Sequence, residues 1–304
     1  GSITVSEQEK VIAYLKEILA SETLVYDIIK DELLEIKDKY GDERLTKIVA
    51  AEGEIDVEDL IKEEQTVVAL TRFGYIKRMS LDTYKSQRRG GKGITGMATR
   101  EEDCVKELFT ASTHDTILFF SNFGKVYGLR GYEVPEAGRT ARGTAIVNLL
   151  NLDAGEKVSS VIPIQNFADG KYLLMATRNG LIKKTPFKEY ETNRRTGLIG
   201  ITLKEGDELI DVRLTDGEDN VVLVTKKGLS ITFDEKDVRT VGRAAQGVIG
   251  NKLDDGDCVI GMEPIITGNT NATLLAITEN GFGKRTELEE YRVQNRGGRG
   301  VITY

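Results

Sequence analysis

The chain has 304 residues, with 42 Lys and Arg against 49 Asp and Glu, a net charge of −7, one His, two Cys and no Trp. That length can bury a sizeable core in one or two domains, while so few His and Cys exclude a disulfide framework, leave little for metal chemistry and point to a reducing compartment, the cytosol. No apolar run approaches the roughly 20 residues that span a bilayer, no signal-peptide pattern opens the chain, and Gly1-Ser2 reads as a tag remnant.

Residues 6–40 carry apolar positions at Val11, Leu15, Ile18, Val25, Ile29, Leu33, Ile36 and Tyr40, mostly three or four apart. This spacing predicts helix with one apolar face suited to packing on a partner surface. Ser21 can cap a second helix and Gly41 can end it. Residues 1–45 thus form a helical segment and 46–65 an acidic connector, with a strand expected over Glu54 to Ile61. Residues 1–65 hold 18 acids and 8 Lys or Arg, so the rest of the chain carries +3.

From Thr66 to Tyr304 the chain is a tandem repeat. Five apolar runs end in hairpin turns at Gly74, Gly124, Gly180, Gly228 and Gly281, which lie 50, 56, 48 and 53 residues apart. Glycine between β runs supplies the positive φ of a tight turn. Each unit continues through a basic loop to a second glycine, at Gly93, Gly143, Gly197, Gly247 and Gly300. Apolar residues, an acidic turn and another strand follow in the first four units. Four strands per unit of about 50 residues is the arithmetic of a propeller blade. The fold class is therefore mainly β, with four complete units, half of a fifth, and an expectation that the last blade is truncated at Tyr304.

Charge follows the repeat. Residues 72–100 carry +7, and the matching segments 121–143, 178–197, 225–247 and 279–300 carry +2, +4, +2 and +1. Each unit is expected to have one basic and one acidic end, so that stacked units line one rim with positive charge, an electrostatic footprint for a long polyanion. The candidate phosphate contacts are Lys77, Arg78 and Lys85 in the first unit, and Lys125, Arg130, Arg139 and Arg142 in the second. The third offers Lys183, Lys184, Arg194 and Arg195, and the fourth Lys226, Lys227, Arg239 and Arg243. Lys284, Arg285, Arg292, Arg296 and Arg299 complete the set in the fifth.

Other motifs reduce to structure. Gly91-Lys92-Gly93-Ile94-Thr95-Gly96 has the dinucleotide-loop pattern but lies in a hairpin repeat with no strand-turn-helix unit around it. Cys104 and Cys258 share an Asp-Cys-Val context in different units, so they read as buried strand thiols, neither a disulfide nor a metal pair. His114 reads as an inter-blade loop residue. The acidic turns 216–219 and 254–257 lack calcium-loop spacing and read as hairpin turns. With a single His, no Ser/His/Asp or Cys/His set is available, and no catalytic centre is expected.

The densest cation-glycine stretch is Gln87-Arg88-Arg89-Gly90-Gly91-Lys92-Gly93, echoed by Gln294-Asn295-Arg296-Gly297-Gly298-Arg299-Gly300. The first string matches the gyrase A box at all seven positions, and the chain resembles the C-terminal part of the bacterial DNA gyrase A protein over essentially its whole length. The resemblance implies the end of a coiled coil followed by a β-pinwheel, a six-bladed propeller-like disc whose blades exchange strands. It implies that Gln87, Arg88, Arg89, Gly90, Gly91, Lys92 and Gly93 help wrap duplex DNA around a basic rim, so that the holoenzyme, an ATP-dependent type IIA topoisomerase of the isomerase class, introduces negative supercoils. The family's cleavage tyrosine lies in its N-terminal part, so no tyrosine here takes that role and the chain is not an enzyme on its own. No cofactor is expected in this chain, since ATP and Mg act elsewhere in the holoenzyme. The implied partners are duplex DNA and the gyrase B subunit of an A2B2 complex, contacted mainly through the N-terminal part, with no membrane. The A-type subunit of topoisomerase IV is the nearest alternative, but its pinwheel lacks an intact box. A WD-type scaffold for protein–protein interaction would need Trp-Asp signatures, and this chain has no Trp.

Overall fold

The computed structural model describes residues 4–44, 46, 57–83, 96–99, 102–167, 169–192, 196–266, 268 and 271–304, in two units, Gly1–Ile55 and Asp56–Tyr304. In the first unit, α1 (Val5–Ala20) and α2 (Glu22–Tyr40) meet at Ser21, whose Oγ accepts from the Leu24 N–H at 3.3 Å and so caps α2 as its sequence requires. No residue of either helix is buried, and the apolar stripe of both stays open to solvent. Among the described residues, no helix is long and apolar enough to cross a membrane.

The described part of the segment expected as a strand, Glu54 to Ile61, forms a 3-10 turn at Val57–Leu60 and joins no sheet. Its polar groups serve instead to dock it on a turn of the repeat. His114 Nε2 donates to Ile61 O at 2.8 Å, and Glu58 pairs with Arg130 at 3.2 Å. His114 therefore lies in an inter-strand turn, as its sequence context suggests.

The strands follow in chain order: β1 (Gln65–Thr71), β2 (Tyr75–Ser80), β3 (Val105–Ser112), β4 (Thr116–Ser121), β5 (Lys125–Arg130), β6 (Thr144–Ala145), β7 (Val158–Ile164), β8 (Tyr172–Thr177) and β9 (Leu181–Pro186). They continue with β10 (Leu198–Ile199), β11 (Leu209–Thr215), β12 (Asn220–Thr225), β13 (Leu229–Asp234), β14 (Val248–Ile249), β15 (Val259–Ile265), β16 (Thr273–Ile277), β17 (Gly283–Glu287) and β18 (Val301–Ile302). The hairpins β1–β2, β4–β5, β8–β9, β12–β13 and β16–β17 turn at the five anticipated glycines, all with positive φ.

Four antiparallel sheets have the orders β3-β1-β2-β6, β10-β5-β4-β7, β11-β8-β9-β14 and β15-β12-β13-β18, and β16–β17 stands as a pair. Among the described residues, the first four units each keep hairpin and third strand in one blade. In the second to fifth units the short strand, the one after the second glycine, instead crosses to the preceding blade and pairs with that blade's second strand. Blades therefore exchange strands. The third strands β3, β7, β11 and β15 contact one another in sequence, so they form the inner edge and the exchanged short strands the outer edge.

The continuous apolar runs follow from burial on both faces. In β4, Ile117 and Phe119 pack toward Val68, Leu70 and Ile76 of the first blade, while Leu118 and Phe120 pack toward Leu173, Met175 and Phe187 of the third. Successive side chains point to opposite faces, so one strand supplies two cores. A third core joins Leu174 and Ile182 to Val221, Leu223 and Phe233.

The cysteines depart from expectation. Cys104 is exposed and Cys258 half-buried, each one residue ahead of its strand. The preceding Asp causes this. Asp103 Oδ1 accepts from Phe73 N and Cys104 N at 3.0 and 2.9 Å, and Asp257 Oδ1 accepts from Lys227 N and Cys258 N at 3.0 and 2.9 Å. Each carboxylate ties the adjacent hairpin turn to the start of the third strand, and Asp103 takes the inward position that a thiol would have filled.

Candidate nucleic-acid interface

The basic loops are built by strand exchange. After its own hairpin, the second unit returns to the first blade, forms a parallel bridge at Arg78 and Glu136, loops through 138–143, and comes back antiparallel as β6 on β2. The fourth and fifth units repeat this with bridges Lys184–Thr240 and Thr232–Val293 and short strands β14 and β18. Each loop is thus held at both ends by the second strand of the preceding blade, on the outer edge.

Two lysines sit beneath these loops. Lys77 is fully buried, and its Nζ donates to Gly138 O, Arg139 O and Ala141 O at 2.9, 2.9 and 3.0 Å. Lys183, equally buried at the same place in β9, donates to Gly200 O at 2.6 Å, to Arg243 O and to Tyr190 Oη at 3.2 Å. Desolvation pushes the Lys183 ammonium down to about 7, with Glu189 pulling it back up, and desolvation lowers Lys77 in the same direction. Lys184 is also buried, with its Nζ 3.0 Å from Glu235 O. These three lysines cannot reach a phosphate, so the expectation that they are rim contacts fails. Lys77 and Lys183 shape the loops from inside, while Lys184 ties β9 to the turn that follows β13. The sequence did carry a signal: the third residue after each turn glycine is Lys77, Tyr127, Lys183, Ile231 and Lys284, and Tyr or Ile there marks an inward-facing position.

Several other cations are committed to the fold. Arg78 donates to Val134 O at 2.8 Å and pairs with Glu136 at 3.4 Å. Arg243 and Arg296, at the same place in their loops, donate to Ile199 O and Ile249 O of the neighbouring short strands. Backbone bonds reinforce this link beside the short strands, from Thr202 N to Ala245 O at 3.2 Å and from Lys252 N to Gly298 O at 2.9 Å. The loops of the fourth and fifth units are therefore each tied to the short strand, and the residues just after it, of the unit before.

Acidic turns also reach further than their sequence position suggests. Lys125 pairs with Asp153 and Arg299 with Asp254, each at 2.5 Å, and Lys227 donates to Asp255 O at 2.5 Å. Separate basic and acidic ends are thus not maintained in these units. What stays open at the outer edge and hairpin ends is Arg139, Arg142, Lys226, Arg239, Lys284, Arg285 and Arg292, all exposed, with Arg142 lying 5.5 Å over the Tyr75 ring. Lys85, the box Gln87 to Gly93, Arg194 and Arg195 lie outside the described residues. No cluster of three or more His, Cys, Asp or Glu with metal-holding geometry occurs among the described residues.

A string of four-stranded blades with exchanged outer strands and basic loops clipped to the outer edge defines a propeller-type binding scaffold. The description "DNA gyrase C-terminal domain, beta-propeller" matches residues 65–105, 115–165, 171–216, 219–266 and 272–304, and the chain belongs to that family. It is 53% identical to the DNA gyrase A protein of Clostridium acetobutylicum over 98% of this chain, and 44% identical to that of Mycolicibacterium smegmatis over 97%. It covers 36% and 35% of those proteins, so it spans about a third of the length of the curated relatives it matches. Among solved structures it is similar to a DNA gyrase A C-terminal domain (TM-score 0.63, 31% identity, 78% of this chain and 76% of that one). It is also similar to the C-terminal domain of a DNA topoisomerase IV (TM-score 0.68, 33% identity, 80% and 73%).

Proposed function

We propose that this chain binds duplex DNA along the outer edge of its blades and bends it around them, and that within a gyrase holoenzyme this wrap directs strand passage toward negative supercoils. The carrying observation is the set of basic loops of the second, fourth and fifth units, each clipped to the preceding blade and the last two tied to a neighbouring short strand, which offers one polyanion repeated contacts. A single exposed loop would serve any anion; a repeated set suits a long one. The loops offer cations and backbone donors but no recognition helix, so the contacts are to phosphates and independent of sequence. Cleavage, ATP and Mg chemistry belong to other parts of the holoenzyme, where the gyrase B protein is the implied partner, and the cytoplasm is the implied compartment.

Likeness to both a gyrase and a topoisomerase IV domain leaves the fold neutral between them, and Gln87 to Gly93 favours the gyrase reading. An electrophoretic shift series with random-sequence duplex tests the binding. The logarithm of affinity should fall with the logarithm of salt by about 0.9 for each phosphate neutralised. Affinity that stays flat from low to moderate salt, or the absence of any shift, would favour a protein-binding scaffold instead.

A further inference from the structure

We propose that Lys77 is a positioning residue that turns the backbone N–H groups of Arg139, Thr140 and Arg142 outward to receive a phosphate of the bound duplex. The inference rests on the DNA-binding reading and adds to it a backbone contact governed by a side chain that never touches DNA. An ammonium has three protons, and each of those on Lys77 has its own carbonyl, of Gly138, Arg139 and Ala141. In a planar trans peptide, the C=O and the N–H that follows it point in opposite directions. Drawing those three carbonyls inward therefore drives the N–H groups of Arg139, Thr140 and Arg142 outward, and none of the three meets an acceptor among the described residues. The contrast within the loop supports this. The Thr140 carbonyl receives no bond from Lys77, and the N–H after it, of Ala141, folds back onto Gly138 O at 3.0 Å.

The outward side has the chemistry to match. Arg139, Thr140 and Arg142 are all exposed, so two guanidinium groups flank the three free donors. Convergent backbone N–H groups make an anion-binding concavity, and guanidinium adds charge-assisted bonds to phosphate oxygens. The fourth unit's loop repeats the device. Lys183 draws in the carbonyl of Arg243, the counterpart of Arg139, and the next N–H, of Ala244, has no acceptor among the described residues. Tyr127 and Ile231 replace the lysine under the intervening loops, so the lysine-backed arrangement falls on alternate blades.

The test is Lys77→Met in this chain, which removes the three carbonyl bonds and no surface charge. The variant should bind duplex several-fold more weakly at every salt concentration, with the salt slope nearly unchanged, because neutral N–H donors release no counterions. In an Arg139→Ala, Arg142→Ala background it should add little further loss, because the phosphate is already released. A lysine needed only for stability would lower the melting temperature and leave the affinity of the folded variant at its wild-type value, and that result overturns the proposal. Should Lys77→Met fail to fold, amide-resolved NMR of the wild-type chain titrated with a short duplex decides the matter. The Arg139, Thr140 and Arg142 amides should shift and the Ala141 amide should move least. Binding without movement of those three overturns the proposal, whereas no binding by the wild-type chain overturns the DNA-binding reading beneath it.

Discussion

Lys183 shows how one buried charge sets a pH dependence. Its folded pKa, held at about 7 by desolvation, lies well below the 10.5 of a solvated lysine. Between those values the unfolded chain holds a proton that the folded chain has lost, so stability rises with pH, by up to about 1.4 kcal/mol per unit. Below the folded pKa both states are protonated and the burial penalty is at its largest. Lys183→Met, which cannot titrate, should lack this rise. Urea unfolding at about pH 6.5 and about pH 9 should therefore show wild type gaining on the variant as pH increases, and a constant difference would contradict the assignment. The sequence hid this lysine because a strand cation next to a basic loop reads as surface charge. Only the Tyr and Ile at the same place in neighbouring units disclose the inward position. The acidic partners Asp153 and Asp254 were hidden for a related reason. They meet Lys125 and Arg299 through turn geometry over 28 and 45 residues of separation, which residue counting within one unit cannot show.

The exchanged strand, with its second glycine, is the element on which the outer edge depends. Gly247 has φ +93, and a Cβ there would lie 2.5 Å from Ile182 O of the strand it clips. Gly206 also has a positive φ, of +75, but open space around it. Gly206→Ala should thus cost only the left-handed strain of about 1–2 kcal/mol, while Gly247→Ala adds a backbone clash and should cost more. Each 1 kcal/mol lowers the melting temperature by about 2–4 °C in a domain of this size, so thermal unfolding separates the two. Equal shifts would mean that β14 does not need close approach to β9. Hairpins were legible in the sequence because turn glycines recur between apolar runs. Which blade receives the short strand was not, since two-residue strands carry no periodicity. In the sequence the box holds the corresponding place in the first unit and ends at its second glycine, Gly93. Replacing Arg88, Arg89 and Lys92 together with Ala in an otherwise intact gyrase should abolish ATP-driven supercoiling while relaxation and decatenation persist, because cations on the other loops retain some DNA but the bent path loses an anchor. Supercoiling at the normal rate by that triple variant would remove the box from the account.

Across the whole β unit, repeated basic loops matter only if one duplex engages several of them. Smooth bending of a 20–30 bp site by 40–90° costs on the order of 1–6 kcal/mol, more than a single exposed cation pair returns in water. Contacts from successive blades must therefore act together, which the ties of the fourth and fifth units' loops to neighbouring short strands favour by fixing their spacing. The repeat was legible from glycine spacing and carried the fold class, while the segment charge supports the proposal of a polyanionic partner. The most direct test of the wrap is energy transfer between dyes on the two ends of a duplex long enough to cross several blades, compared with one that spans a single blade. Bending around the blades predicts higher end-to-end transfer on binding and tighter affinity for the longer duplex. Equal affinity for both, with no change in transfer, would contradict it.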